Sequence, residues 1–80
     1  TSDKYEIDLI LDFSDGLYAI EIKLTSSPDA DDVNRFRKAA QMIKAKCGIL
    51  ISRTQDFITS ENFVSANLHQ ALDFLMTDTR

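Results

Sequence analysis

Between Tyr5 and Thr25 the sequence YEIDLILDFSDGLYAIEIKLT alternates apolar and polar positions on either side of Asp15-Gly16. Period-two alternation marks a half-buried strand. Asp-Gly between two such runs predicts a hairpin with a type I′ turn, because both residues tolerate positive φ. With Asp15-Gly16 as the loop, paired residue numbers sum to 31. Phe13 then faces Tyr18, Leu11 faces Ile20, Leu9 faces Ile22 and Ile7 faces Leu24, so eight apolar or aromatic side chains share one face. The other face collects Glu6, Asp8, Ile10 and Asp12 against Ala19, Glu21, Lys23 and Thr25. Asp8 lies across from Lys23, with Glu21 diagonally beside it. A one-residue slip would set the apolar half of one strand against the polar half of the other, whereas any even-length loop preserves both clusters.

Beyond the hairpin the period changes. Ser27 reads as a helix N-cap, Pro28 as the first helical residue, and Asp29, Asp31 and Asp32 as first-turn acids facing the positive end of the dipole. The helix is expected over Pro28 to Lys46, with Val33, Phe36, Ala40 and Ile43 as its buried stripe, joined by Ala39 and Cys47, and Cys47-Gly48 as its stop. Gly48 to Ser52 is a short continuous apolar run, as expected of a strand buried on both faces. Arg53 to Ser60 is loop-like, with a turn or short strand at Phe57-Ile58. Asn62 to Ser65 reads as a last strand, followed by a helix in which Asn67 and Gln70 form a capping box and Leu68, Ala71, Leu72 and Leu75 form the stripe. The alternative is one helix from Ser60 to Met76. His69 falls off the stripe, as a surface residue, and Thr77 to Arg80 is a tail. The order β-β-α-β-(β)-α predicts an α/β layered domain, a mixed sheet flanked by helices, with the hairpin and Ile49–Ile51 at its centre.

Eighty residues bound this to a single small domain. An apolar fraction of 44% and a charged fraction of 28% are ordinary for a globular chain. No apolar run reaches the ~20 residues of a membrane span. The single cysteine, Cys47, rules out an internal disulfide and reads as a small core residue in a reducing, cytoplasmic setting. The chain opens almost at once on a strand and without an initiating Met, which predicts a fragment of a longer protein. The net charge of −4 conceals an asymmetry. Residues 1–32 carry nine acids against Lys4 and Lys23, whereas residues 33–55 carry Arg35, Arg37, Lys38, Lys44, Lys46 and Arg53 with no acid. An acidic hairpin beside a basic helix would set a metal next to a phosphate-attracting surface; equally, the two regions would neutralise each other.

Hydrolysis of a phosphodiester by a divalent metal needs hard oxygen ligands and a group that positions the attacking water. Asp8 and Glu21 on neighbouring strands supply carboxylates, Lys23 supplies a cation for the water or for developing negative charge, and the Ile22 carbonyl lies between them. Asp8 on a hydrophobic strand, followed by Glu21-Ile22-Lys23 on the next, resembles the PD-(D/E)XK nuclease superfamily. More narrowly, EIDLIL…YAIEIKLTSSP followed by an amphipathic helix is similar to the nuclease-like domain behind the ATPase module of bacterial and archaeal AAA-type ATPases.

The resemblance covers roughly Tyr5 to Ser52 and implies a restriction-endonuclease-like core. It implies Asp8 and Glu21 as ligands of Mg²⁺ or Mn²⁺, Lys23 as the catalytic lysine, and Glu6 and Gln41 as auxiliaries. It further implies phosphate contacts from Arg35, Arg37, Lys38 and Lys44, a DNA substrate, and an ATPase module in the same parent chain; it admits a homodimer. Ile7 stands where the motif name has proline, and Ala45 stands four residues after Gln41 where a tyrosine is usual. Three functions follow as expectations. The first is a Mg²⁺-dependent DNA endonuclease. The second is a non-catalytic accessory or interaction module of an ATPase. The third is a plain α/β domain whose Asp8 and Glu21 point apart or are neutralised by Lys23 and Lys4.

Overall fold

A computed structural model describes residues 6–78. The elements run β1 (Leu9–Phe13), β2 (Gly16–Ile22), α1 (Ala30–Met42), β3 (Cys47–Ile51), β4 (Ile58–Thr59), β5 (Phe63–Ala66) and α2 (Leu68–Asp78). The five strands form one mixed sheet in the order β1-β2-β3-β5-β4. β1 and β2 are antiparallel, β2, β3 and β5 are mutually parallel neighbours, and β4 returns antiparallel to β5. The layered α/β architecture is as expected. β3 is central, buried at all five positions, and β1 is an edge strand rather than a central one.

Each face of the sheet packs on one helix. Tyr18, Ile20, Cys47, Ile49, Ile51, Val64 and Ala66 form one core with Ala71 of α2, extended by Leu11, Phe13, Phe74 and Leu75. Ala19, Leu50 and Phe63 form the other with Phe36 and Ala40 of α1, extended by Ile7, Val33, Ile43 and Ala45. α1 approaches β3 closely at Gly48, where a Cβ would stand 3.1 Å from the Phe36 ring and 3.2 Å from the Ala40 methyl. Cys47 is buried in the α2-side core.

The hairpin forms two residues out of the expected register. Leu9 pairs with Ile20, Leu11 with Tyr18 and Phe13 with Gly16, so Ser14-Asp15 is the turn and numbers sum to 29. At this turn Gly16 takes positive φ (142°) and Asp15 does not. The turn is held from outside, since the Lys46 ammonium and the Tyr18 hydroxyl both donate to Asp15 Oδ2 (2.6 and 3.1 Å). The Lys46 N–H also donates to the Leu17 carbonyl (2.7 Å). A shift of two preserves side-chain parity, so Leu11 and Phe13 still join Tyr18 and Ile20. It dissolves the outer pairs, however. β2 ends at Ile22, Leu24 is 78% exposed, and Ile7 packs on the α1 side. Tyr5, the expected start of the first strand, lies outside the described residues.

Both ends of α1 differ from expectation. Asp29, not Ser27, is the N-cap, its carboxylate accepting the Asp32 N–H at 2.8 Å. The helix stops at Met42, four residues short of Lys46. Ile43 is the C-cap and Lys44 follows in the left-handed conformation (φ 58°). The Ala45 N–H reaches the Ala40 carbonyl and the Lys44 N–H the Gln41 carbonyl, the hydrogen-bond pair of a Schellman motif that usually has glycine in Lys44's place.

Downstream, Phe63–Ala66 is a strand, and Asn67 and Gln70 form the expected capping box with two 2.9 Å bonds. Helix α2 buries Ala71 and partly buries Phe74 and Leu75, while Leu68 and Leu72 are exposed, so its stripe lies one position round from the expected one. Thr77 and Asp78 belong to α2; Thr79 and Arg80 lie outside the described residues. His69 is exposed, as expected, 3.8 Å from Asp73. No helix among the described residues is long and apolar enough to cross a membrane.

Lys44→Gly should stabilise the domain by about 0.5–1 kcal/mol, because relief of left-handed strain exceeds the entropy gained by the unfolded chain. Gly48→Ala should cost about 1–3 kcal/mol by overpacking against Phe36 and Ala40. Urea unfolding would check both as opposite shifts of the midpoint with an unchanged slope.

Candidate functional site

Asp8, Glu21 and Lys23 gather at the C-terminal end of β2, below the first turn of α1. Alternation along β2 places Glu21 on the face of Ala19, and α1 covers that face. Glu21 is therefore 4% exposed, which alternation in the hairpin alone did not predict. Asp8 precedes β1; its N–H donates to the Ile20 carbonyl (3.0 Å), and its Oδ2 accepts the Ile22 N–H (2.9 Å). Continuing the β1–β2 register sets Asp8 opposite Glu21, not opposite Lys23 as expected.

Lys23 lies just past β2, anchored by its N–H to the Ile51 carbonyl (2.9 Å). Its ammonium stands 3.7 Å from Glu21 Oε2 and 3.9 Å from Asp32 Oδ1. Both distances exceed hydrogen-bond range, so the attraction is coulombic. Asp32 is the residue that the sequence reading missed. It completes a chain Glu21–Lys23–Asp32–Arg35, closed by a 2.8 Å bond from Arg35 to Asp32. Its signal was present as an Asp-x-x-Arg pair in the first turn of the helix that follows Glu-x-Lys.

Burial raises the pKa of Glu21 above the ordinary 4.5; the charge of Asp8 adds to this, Lys23 opposes it and Glu6 adds a little. Glu21 Oε1 is the one buried side-chain oxygen or nitrogen among the described residues that has no hydrogen-bond partner. A carboxylate oxygen that is buried and unsatisfied is completed either by a proton or by a cation. The donor set is hard, oxygen only, and suited to Mg²⁺ or Mn²⁺. No three His, Cys, Asp or Glu side chains converge as a metal-holding group among the described residues. A metal here would thus rest on Asp8 and Glu21 and take its other oxygens from backbone, water or substrate, the usual habit of Mg²⁺.

The remaining expected site residues disperse. Glu6 is exposed but near enough for its charge to act on Glu21. Gln41 lies in the last turn of α1, nine residues and about 14 Å along the axis from Asp32, beside a small cavity lined by Gly48 and Asn62. Arg35 is paired with Asp32 at the surface of α1. The Arg37 guanidinium lies 4.8 Å above the Phe63 ring. Lys38 is exposed on α1, and Lys44 is exposed beyond its end. Lys4 lies outside the described residues.

A family model matches residues 1–71, almost the whole chain. The chain belongs to the family of the domain of unknown function DUF4143. No curated protein and no solved structure matches it. For this DUF4143 domain, function rests on the geometry of the residues themselves.

Lower pH should favour the folded state at Glu21. Its folded pKa is raised, so its contribution to stability is full below the unfolded value near 4.5 and is lost as pH rises through the folded value. Glu21→Gln, which keeps the shape and removes the charge, should raise the urea midpoint at pH 7 in a chelating buffer. The gain should vanish toward about pH 4, and a variant no more stable than wild type at pH 7 would contradict the assignment.

Proposed function

We propose that the chain is a metal-dependent nuclease-like domain that hydrolyses phosphodiester bonds in DNA. The observation that carries this reading is the buried, unpartnered Oε1 of Glu21 beside Asp8 and Lys23. A plain structural domain gains nothing from a carboxylate whose burial leaves half of it unsatisfied. Asp8 and Glu21 would hold Mg²⁺ or Mn²⁺, which when bound supplies Lewis-acid stabilisation of the phosphate and a more acidic water. Asp8 is oriented for this by the Ile22 N–H, which fixes one carboxylate oxygen and leaves the other free to ligate. Lys23 sits one strand position beyond Ile22, and its ammonium can leave Asp32 to orient the attacking water or to offset charge on the phosphate oxygens. Asp32 acts as a positioning residue that holds Lys23 from the α1 side. The restriction-endonuclease-like core, an ATPase module in the parent chain and a cytoplasmic setting belong to the same proposal.

A second reading, a non-catalytic accessory or interaction domain of an AAA-type ATPase, draws on one observation. Lys23 is shared between Glu21 and Asp32, so the charges largely offset one another without a metal.

Titration with Mn²⁺ separates the two. The nuclease reading expects binding that Asp8→Ala and Glu21→Ala each weaken by more than about tenfold. It also expects Mn²⁺-dependent cleavage of plasmid DNA that disappears in Asp8→Ala and in Lys23→Ala. Absence of Mn²⁺ binding favours the accessory reading, and equal cleavage by wild type and both variants identifies a contaminant.

A further inference from the structure

On the same face of the sheet, a groove of about 390 Å³ opens between α1, the loop after Lys23 and β4. The strand registers place it relative to the carboxylates. Glu21 pairs with Leu50, Leu50 with Ser65, and Ser65 with Ile58, so the four side chains form one row on the α1 side. With strands about 4.8 Å apart, Ser65 lies two strands, or about 10 Å, from Glu21. Ser65 and Ile58 line the groove.

Two independent observations point to a ligand. The first is Ser65, a residue only 8% exposed that lines the groove and whose side chain makes no hydrogen bond among the described residues. A hydroxyl at the wall of a groove is free to exchange water for a ligand oxygen. The second is Arg37, which also lines the groove. Its guanidinium forms no ion pair among the described residues and instead lies over Phe63, 4.8 Å from the ring centroid. A guanidinium held over a ring by cation–π attraction keeps its N–H donors for an oxyanion. The walls complete the chemistry, with apolar Ile58 and Phe63, the Ser60 hydroxyl as a donor, and Asp56 as an acceptor for a base N–H. The space is far larger than inorganic phosphate needs and lies in the range of small-molecule sites.

We infer that this groove binds a nucleoside monophosphate unit, its phosphate on Arg37 and the Ser65 and Ser60 hydroxyls and its base against the apolar wall. The unit comes either from a free mononucleotide or from one residue of a single strand. The site is distinct from the carboxylate–lysine site and stands or falls without it.

The test is a binding titration of the chain in chelating buffer with deoxyadenosine 5′-monophosphate, a short single-stranded oligodeoxynucleotide and inorganic phosphate. Arg37→Ala is expected to weaken the nucleotide about tenfold or more and Ser65→Ala several-fold. Ser65→Ala removes one oxygen from a buried site and leaves the fold intact by circular dichroism. Glu21→Gln should bind as wild type does, so loss of cleavage in that variant bears on the nuclease reading and not on this one. Stronger binding of the oligonucleotide than of the mononucleotide, both dependent on Arg37, identifies a strand as the source; equal binding identifies the free nucleotide. Inorganic phosphate binding as tightly as the nucleotide would overturn the inference. So would wild-type binding in both Arg37→Ala and Ser65→Ala, loss of binding in Glu21→Gln, or no binding at all.

Discussion

The site depends on β2 being enclosed on both edges and both faces. β1 pairs along one edge and β3 along the other, while α1 and α2 cover the two faces, so Tyr18 to Glu21 are all buried. Parallel pairing of β2 with β3 requires a crossover, and α1 is that crossover. It settles low because Gly48 presents no Cβ to Phe36 and Ala40. Glu21 therefore loses its water to α1, and a carboxylate so placed must find a partner or change its protonation. Lys23 at 3.7 Å is a partial answer, close enough for coulombic attraction and too far for a hydrogen bond. What makes this residue chemically interesting is thus tertiary packing and not its motif.

Much of the fold was legible because each element has its own period. Strand alternation, the helical stripe of α1, the doubly buried β3 and the Asn67–Gln70 capping box were all read from local pattern and are all present. The failures are tertiary. The hairpin register turns on whether Asp15 or Ser14 leads the loop, and local chemistry favours Asp15-Gly16. Lys46, thirty-one residues on, decides otherwise by taking the Asp15 carboxylate at 2.6 Å and holding its pKa below the ordinary 3.8. The end of α1 was misread for the opposite reason. A Schellman stop announces itself through glycine, and here a lysine carries the left-handed residue.

The candidate site survived the register error because that error was even. Two residues of slip leave Asp8 and Glu21 on one face and change only which of them opposes the other. Lys23, expected across a strand pair from Asp8, reaches the site instead as the residue that follows β2. Asp32 and Ser65 were not read from sequence because neither belongs to a hairpin pattern. Each becomes visible only when α1 and β5 are laid over the sheet. Ser65 did carry a faint signal, as the polar residue in the otherwise apolar strand Phe63–Ala66.

The charge asymmetry also resolves residue by residue. An acidic first third beside a basic middle permitted either mutual neutralisation or a surface for phosphate, and the structure shows which basic residues are already paired. Arg35 is spent on Asp32 and Lys46 on Asp15. Lys44 is committed to the helix stop by its backbone, with its side chain in solvent. Exposed ion pairs of this kind contribute only about 0–1 kcal/mol, so a phosphate arriving with better geometry could displace them. It would still first have to break a bond at Arg35 or Lys46, whereas Arg37 has no ion pair among the described residues. Arg37 lies over the Phe63 ring and lines the groove. Among the described residues, the guanidinium of Arg37 is thus held over an aromatic ring, on the strand next to the sheet's centre, without an ion pair that a ligand would have to displace.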